Sequence, residues 1–238
     1  MIIKRIKIKV KRLAKELFYK QYYVFGDSHT EIFTHMNKKK YDWNYSFDVT
    51  LVGGATAQGM RNPNSYTNAL GIFTKKIKTI KNKKTKLFFL LGEVDTGFVI
   101  WYRALKYKES IDDQLNKSLQ AYVDFINGVK AMGFNNIYVL SAPLPTIEDN
   151  QDWGEIANAR KVVTATKIER TLLTLKYNKS LEVQMKNIGV IYISLDEELI
   201  NAETGLLKEN FLNKDINNHH LDIDKYAEIT YKKIKKFI

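Results

Sequence analysis

The sequence contains no cysteine, which excludes disulfides, thiolate nucleophiles and cysteine-ligated metal. Prolines number only three, and two of them, Pro143 and Pro145, fall together. Acids are scarce: 26 Asp and Glu stand against 38 Lys and Arg, for a net charge of +12. No apolar run approaches the ~20 residues needed to span a bilayer. The opening stretch, MIIKRIKIKVKRLAKELFYK, lacks the uninterrupted apolar core of a secretory signal. These absences together point to a cytoplasmic protein.

What is present is a chain with 45% hydrophobic residues and a length of 238, enough for one sizeable α/β domain. The positive charge is clustered. Residues 1–20 carry eight Lys or Arg and one acid, Glu16. Ile3, Ile6, Val10, Leu13 and Leu17 recur there at helical spacing, so a basic amphipathic helix is expected over 1–20, with the main domain at 21–238. Such a helix packs on a core or a second subunit, or lies on an anionic membrane surface and makes the protein peripheral to the inner membrane. No nucleic-acid motif accompanies the charge, so no nucleic acid is expected as a partner.

From residue 21 on, strand-like and helix-like segments alternate. Tyr22 to Phe25, Asp48 to Val52, Leu87 to Leu91, Ile137 to Leu140 and Val190 to Ile193 read as five short buried strands. Ile111 to Met132, Glu155 to Lys186 and Asp224 to Phe237 read as helices. That alternation predicts an α/β fold, a flavodoxin-like three-layer α/β/α sandwich around a five-stranded parallel sheet.

Ligands of such sheets bind beyond the carboxyl ends of the strands. Strand one is followed by Gly26-Asp27-Ser28-His29-Thr30, strand two by Gly53-Gly54-Ala55-Thr56, and strand three by Gly92-Glu93-Val94-Asp95. Ahead of the last helix stands Asp215-Ile216-Asn217-Asn218-His219-His220-Leu221-Asp222. Ser28 is the candidate nucleophile, because a serine hydroxyl paired with an imidazole can attack an acyl carbon at neutral pH. His220 and His219 are the candidate bases. The backbone amides of Ser28 and Gly54 are the candidate oxyanion donors. The alternative reading makes Asp27 and Ser28 simple helix caps. Glu93 and Asp95 are expected either as hydrogen-bonded carboxylates at the strand end or, with Asp27, as substrate contacts. Arg103 follows the third rim loop and is a candidate for an anionic substrate group, with Trp101 and Tyr102 as stacking surfaces for a sugar.

Taken together, the four segments resemble the blocks of the SGNH/GDSL hydrolase family. Gly26-Asp27-Ser28 looks like the first block, Gly54-Ala55-Thr56 the second, Gly92-Glu93-Val94-Asp95 the third, and His220-Leu221-Asp222 the end of the last. The resemblance implies a serine esterase or acyltransferase needing no cofactor. The Gly-Glu-Val-Asp form is similar to a variant found among proteins encoded with bacterial surface-polysaccharide genes, which implies a glycan as substrate. Two departures stand out. Val94 occupies the position of the family's oxyanion asparagine. Asn217, not aspartate, lies three residues before His220, so either the loop is one or two residues longer and Asp215 orients the imidazole, or the pair is a serine–histidine dyad. These departures leave open a weakly active or inactive module that binds a glycan or a partner.

Overall fold

The computed structural model describes residues 20–149, 163–215 and 217–238. The basic helix expected over 1–20 lies outside these residues, apart from Lys20, which opens the first strand. Five parallel strands form one sheet: β1 (Lys20–Gly26), β2 (Tyr45–Leu51), β3 (Leu87–Leu90), β4 (Ile137–Leu140) and β5 (Ile191–Ile193). Their order is β2-β1-β3-β4-β5. This is the doubly wound arrangement in which the chain reverses direction beside β1, leaving a crevice at the ends of β1 and β3.

The helices between the strands are α1 (Glu31–Lys39), α2 (Ala69–Thr79), α3 (Ile100–Tyr107), α4 (Ile111–Ala131), α5 (Lys167–Asn187), α6 (Asp196–Leu199) and α7 (Ile223–Ile234). Both long helices begin on a capping box, Ser110 with Asp113 and Thr166 with Glu169, which satisfies otherwise orphaned N–H groups at the first turn. Of the helix expected from Glu155, residues 155–162 lie outside the described residues, and the described helix starts at Lys167. Among the described residues no helix is long and apolar enough to cross a membrane.

The central strands are buried on both faces, as their continuous apolar sequences require. Side chains alternate across the sheet. Phe25, Phe89 and Val139 enter one core layer with Phe73, Phe125 and Tyr177 from α2, α4 and α5. Val24, Phe88, Leu90 and Tyr138 enter the other, with Phe33 from α1 and Tyr226 from α7. Rings stack directly across neighbouring strands, Phe25 on Phe89 at 5.2 Å and Phe88 on Tyr138 at 4.8 Å between centroids. His35 Nε2 lies 2.9 Å from Asp224 Oδ1, linking α1 to the start of α7. That link fastens together the two elements that carry the site's opposing loops.

Candidate active site

The end of β1 passes very close to β3. A Cβ on Gly26 would lie 2.0 Å from the carbonyl oxygen of Leu90, so no larger residue fits there. Immediately after it, the Asp27 carboxylate turns back and accepts the backbone N–H of His29 at 2.9 Å. The Thr30 hydroxyl donates to the Asp27 carbonyl at 2.7 Å. These bonds wind Ser28–Thr30 into a single 3-10 turn and hold Ser28 at its tip, above the sheet. Asp27 therefore is a cap, and Ser28 is the residue that the cap presents.

The opposing loop is built by the same local device. The Asn218 side-chain oxygen accepts the backbone N–H of His220 at 3.0 Å, an Asx turn. The loop is anchored by an antiparallel bridge between Leu212 and Leu221, by Asp222 N–H donating to the Phe211 carbonyl at 2.8 Å, and by the Thr146 hydroxyl donating to the His219 carbonyl. Asp222 then caps α7 by accepting Lys225 N–H at 3.1 Å.

These two loops meet. His220 Nε2 lies 2.7 Å from Ser28 Oγ, across 192 positions of sequence. His220 Nδ1 lies 2.8 Å from Asn218 Oδ1. The second bond fixes the tautomer. Asn218 Oδ1 already accepts a backbone N–H, so this atom is the amide oxygen and the ring nitrogen facing it carries the proton. Nδ1–H therefore donates to Asn218, and Nε2 is left with its lone pair toward Ser28, whose hydroxyl donates to it. This is the tautomer a general base needs.

The structure corrects the sequence reading at the group that orients the base. The group at Nδ1 is Asn218, not Asp215; the Asp215 carboxylate accepts the Asn217 N–H at 3.0 Å and closes its own turn. Of the two candidate bases, it is His220, the one in the His-Leu match to the last block, that lies at Ser28; the His219 ring packs on His220 with centroids 4.2 Å apart. Asp27 and Asp95 are both 0% exposed and accept backbone N–H groups, so Asp95 takes the hydrogen-bonded role at the strand end, and neither carboxylate presents an exposed surface for a substrate contact. Glu93 is also buried, at the start of the turn after β3.

Asp95 organises the second rim loop. Its Oδ2 accepts Ala57 N–H at 2.7 Å, and its Oδ1 accepts Gln58 N–H at 2.9 Å and the Ser118 hydroxyl at 2.7 Å. The Gly53-Gly54 turn immediately precedes this pinned segment. Gly54 has φ +69°, a conformation that disfavours other residues. Among the described residues, neither the Ser28 nor the Gly54 N–H donates to a protein acceptor.

Burial raises the Asp95 pKa to about 6, outweighing the three hydrogen bonds that favour its charged form. A carboxyl that binds its proton more tightly when folded favours the fold most below its unfolded pKa. That advantage is lost as pH rises through about 6. The difference is on the order of 3 kcal/mol. Denaturant unfolding of wild type and Asp95→Asn, which does not titrate, should show wild type gaining by that order relative to the variant between about pH 8 and pH 4. A gap independent of pH would mean that Asp95 does not titrate in this way.

Two cavities open among the rim loops, and Ser28 lines the smaller. One, of about 130 Å³, is bounded by Ser28, His220, Ile32, Leu221, Ile223 and Tyr226 among others. The other, of about 620 Å³, runs from Gly54 and Val94 outward to Arg61, Tyr102 and Arg103. Because β1 lies between β2 and β3, the loops carrying Gly54 and Val94 stand on either side of the loop carrying Ser28.

A 2-1-3-4-5 parallel sheet with a serine presented after its first strand and a histidine ahead of its last helix defines the class: the chain has the fold of the SGNH/GDSL acylhydrolases. Solved structures sharing it include a GDSL-like lipase from Bacteroides thetaiotaomicron VPI-5482, with a TM-score of 0.61 and 13% identity over 92% of this chain and 87% of that one. An aryl esterase from M. smegmatis matches with a TM-score of 0.54 and 13% identity, over 90% of this chain and 99% of that one. An acetyl xylan esterase matches with a TM-score of 0.52 and 11% identity, over 89% and 98%. No family model matches the sequence, and no curated protein does. The likeness thus lies in the backbone and in a few short blocks.

Proposed function

We propose that this protein is a serine-dependent O-acyl esterase or O-acyltransferase acting on a glycan, with Ser28 as nucleophile and His220 as general base. The observation that carries this reading is the 2.7 Å contact between Ser28 Oγ and a His220 nitrogen whose lone pair is directed at it. The Ser28 hydroxyl proton passes to Nε2 as Oγ bonds to the acyl carbon. The resulting oxyanion accepts the N–H groups of Ser28 and Gly54. The imidazolium then protonates the leaving alcohol oxygen, and acyl-Ser28 remains. Water, or a sugar hydroxyl in a transferase, loses its proton to Nε2 and attacks the acyl carbon; the bond from that carbon to Oγ then breaks and Nε2 returns the proton to Ser28 Oγ.

The glycan is supported by the Gly-Glu-Val-Asp block and by an acetyl xylan esterase of the same fold. The small cavity beside Ser28 supports a short acyl group. At about 130 Å³ it is well below the ~300–1,000 Å³ of sites that enclose drug-sized ligands. A p-nitrophenyl ester series therefore tests both serine and pocket. Acetate and propionate esters should be turned over, and kcat/KM should fall by about 100-fold or more at octanoate, because a chain longer than the cavity either strains its walls or draws the acyl carbon out of line with Ser28 Oγ. No turnover of any ester, with no covalent adduct on Ser28, would favour the inactive binding module instead.

A further inference from the structure

The larger cavity is lined by two arginines and by no carboxylate. Arg61 is exposed and makes no hydrogen bond or ion pair among the described residues. Arg103 is fixed from behind. Its Nε donates to Gln114 Oε1 at 3.1 Å, and its guanidinium stacks 4.8 Å from the Tyr107 ring centroid. Its two terminal amino groups have no protein partner among the described residues. Glu109, the acid nearest along the chain, is held by Lys117 and by the Gln114 side-chain amide. Gln114 is 1% exposed, so the support under Arg103 is rigid.

The same buried amide also accepts Gln58 Nε2 at 3.0 Å. Gln58 lines the cavity, is 5% exposed, and its Oε1 is buried with no hydrogen-bond partner. A buried acceptor left open in this way needs a donor, and a sugar hydroxyl is one. Tyr102, stacked on Phe98 at 5.5 Å, gives the wall an aromatic surface. A planar guanidinium with both terminal nitrogens open is suited to a carboxylate or phosphate, which it binds through paired hydrogen bonds.

We infer that this cavity binds an acidic sugar, with Arg103 and Arg61 on its carboxylate or phosphate and Gln58 Oε1 on a ring hydroxyl. Resting on the acyl-glycan reading above, this makes the substrate an anionic glycan and the arginines its specificity determinants. The acid group sits on the alcohol side of the ester, away from the short acyl pocket.

Calorimetric titration at physiological ionic strength tests it with trigalacturonate, glucose 6-phosphate and xylotriose. At least one anionic sugar should bind about ten-fold more tightly than xylotriose, and whichever does identifies carboxylate or phosphate as the group read. Arg103→Gln should remove most of that preference. Arg61→Gln, at an exposed side chain with no partner to lose, should reduce it without risk to the fold. Equal binding of the neutral sugar, no measurable binding of either anion, or a preference surviving in both variants would overturn the inference. Fluorophosphonate labelling of the same preparation reads the serine separately. A labelled Ser28 without anion preference defeats only the acidic-sugar site. Anion preference without a label keeps that site and defeats the acyl-serine mechanism.

Discussion

Ser28→Ala and His220→Ala should each lower kcat on a p-nitrophenyl acetate-type ester by at least ~10³-fold, and the double variant should be little worse than either alone. The reason is that the two side chains act as one unit. Without the hydroxyl there is nothing for Nε2 to activate, and without the imidazole the hydroxyl keeps its proton. Oxyanion donors and binding remain in both variants, so a residue of catalysis above water persists. Losses that multiply in the double variant would show that serine and histidine contribute independently. Equal rates in wild type and Ser28→Ala would place the reacting group elsewhere.

The second large effect concerns Asn218. It supplies orientation and the correct tautomer, but not the negative charge that a carboxylate would bring to the imidazolium. Asn218→Ala removes orientation and should lower kcat by ~10²-fold or more, since the ring is then free to turn and present the wrong nitrogen. Asn218→Asp keeps both acceptor bonds, to His220 N–H and to Nδ1–H, and adds charge. Unlike charges at such a distance attract by several kcal/mol at an intermediate dielectric, and desolvating the carboxylate offsets part of it. A net gain near 1.4 kcal/mol corresponds to about a ten-fold rise in plateau kcat. The sign of the pH effect is opposite at the acid end. A carboxylate favours the protonated ring, so the acid limb of the pH–rate profile should move upward by about one unit. A variant with lower plateau activity and an unmoved limb would show that charge at this position does not reach the ring.

Much of the fold could be read in advance, because it rests on short-range signals. The β3 and β4 segments are continuous apolar runs that only a doubly covered sheet can bury, and the glycines and prolines after them mark their ends. β2 begins at Tyr45, three residues ahead of the apolar pattern's start at Asp48, since Tyr45 and Phe47 alternate with polar residues and β2 is an edge strand with one side open. Ser28 and His220 were legible because each sits beyond a strand end or ahead of a helix in a recognisable block.

Asn218 is not legible from the family's spacing, which points three residues before the histidine to Asn217 and leaves Asp215 as the nearest preceding aspartate. The usable signal was local. An Asx side chain two residues before a histidine accepts that residue's N–H, which brings the same oxygen to the ring Nδ1. Asp27 does this to His29, with Oδ1 at 2.9 Å from N and 3.1 Å from Nδ1, and Asn218 repeats it at His220. Asp95 was hard to place for a different reason. Its partners are the backbone of Ala57 and Gln58 and the hydroxyl of Ser118, at 23 to 38 positions' remove, and no local pattern encodes them. Gln58 and Arg61 carry no local signal either, as the loop after Gly54 shows its meaning only against Arg103 and Gln114.

The most direct measurement is the rate and position of fluorophosphonate labelling on folded protein, read by intact mass and peptide mapping. A hydroxyl activated by His220 gives one adduct, on Ser28, formed at least ~10²-fold more slowly in His220→Ala. No adduct, an adduct on another residue, or an unchanged rate without the imidazole would contradict an activated serine.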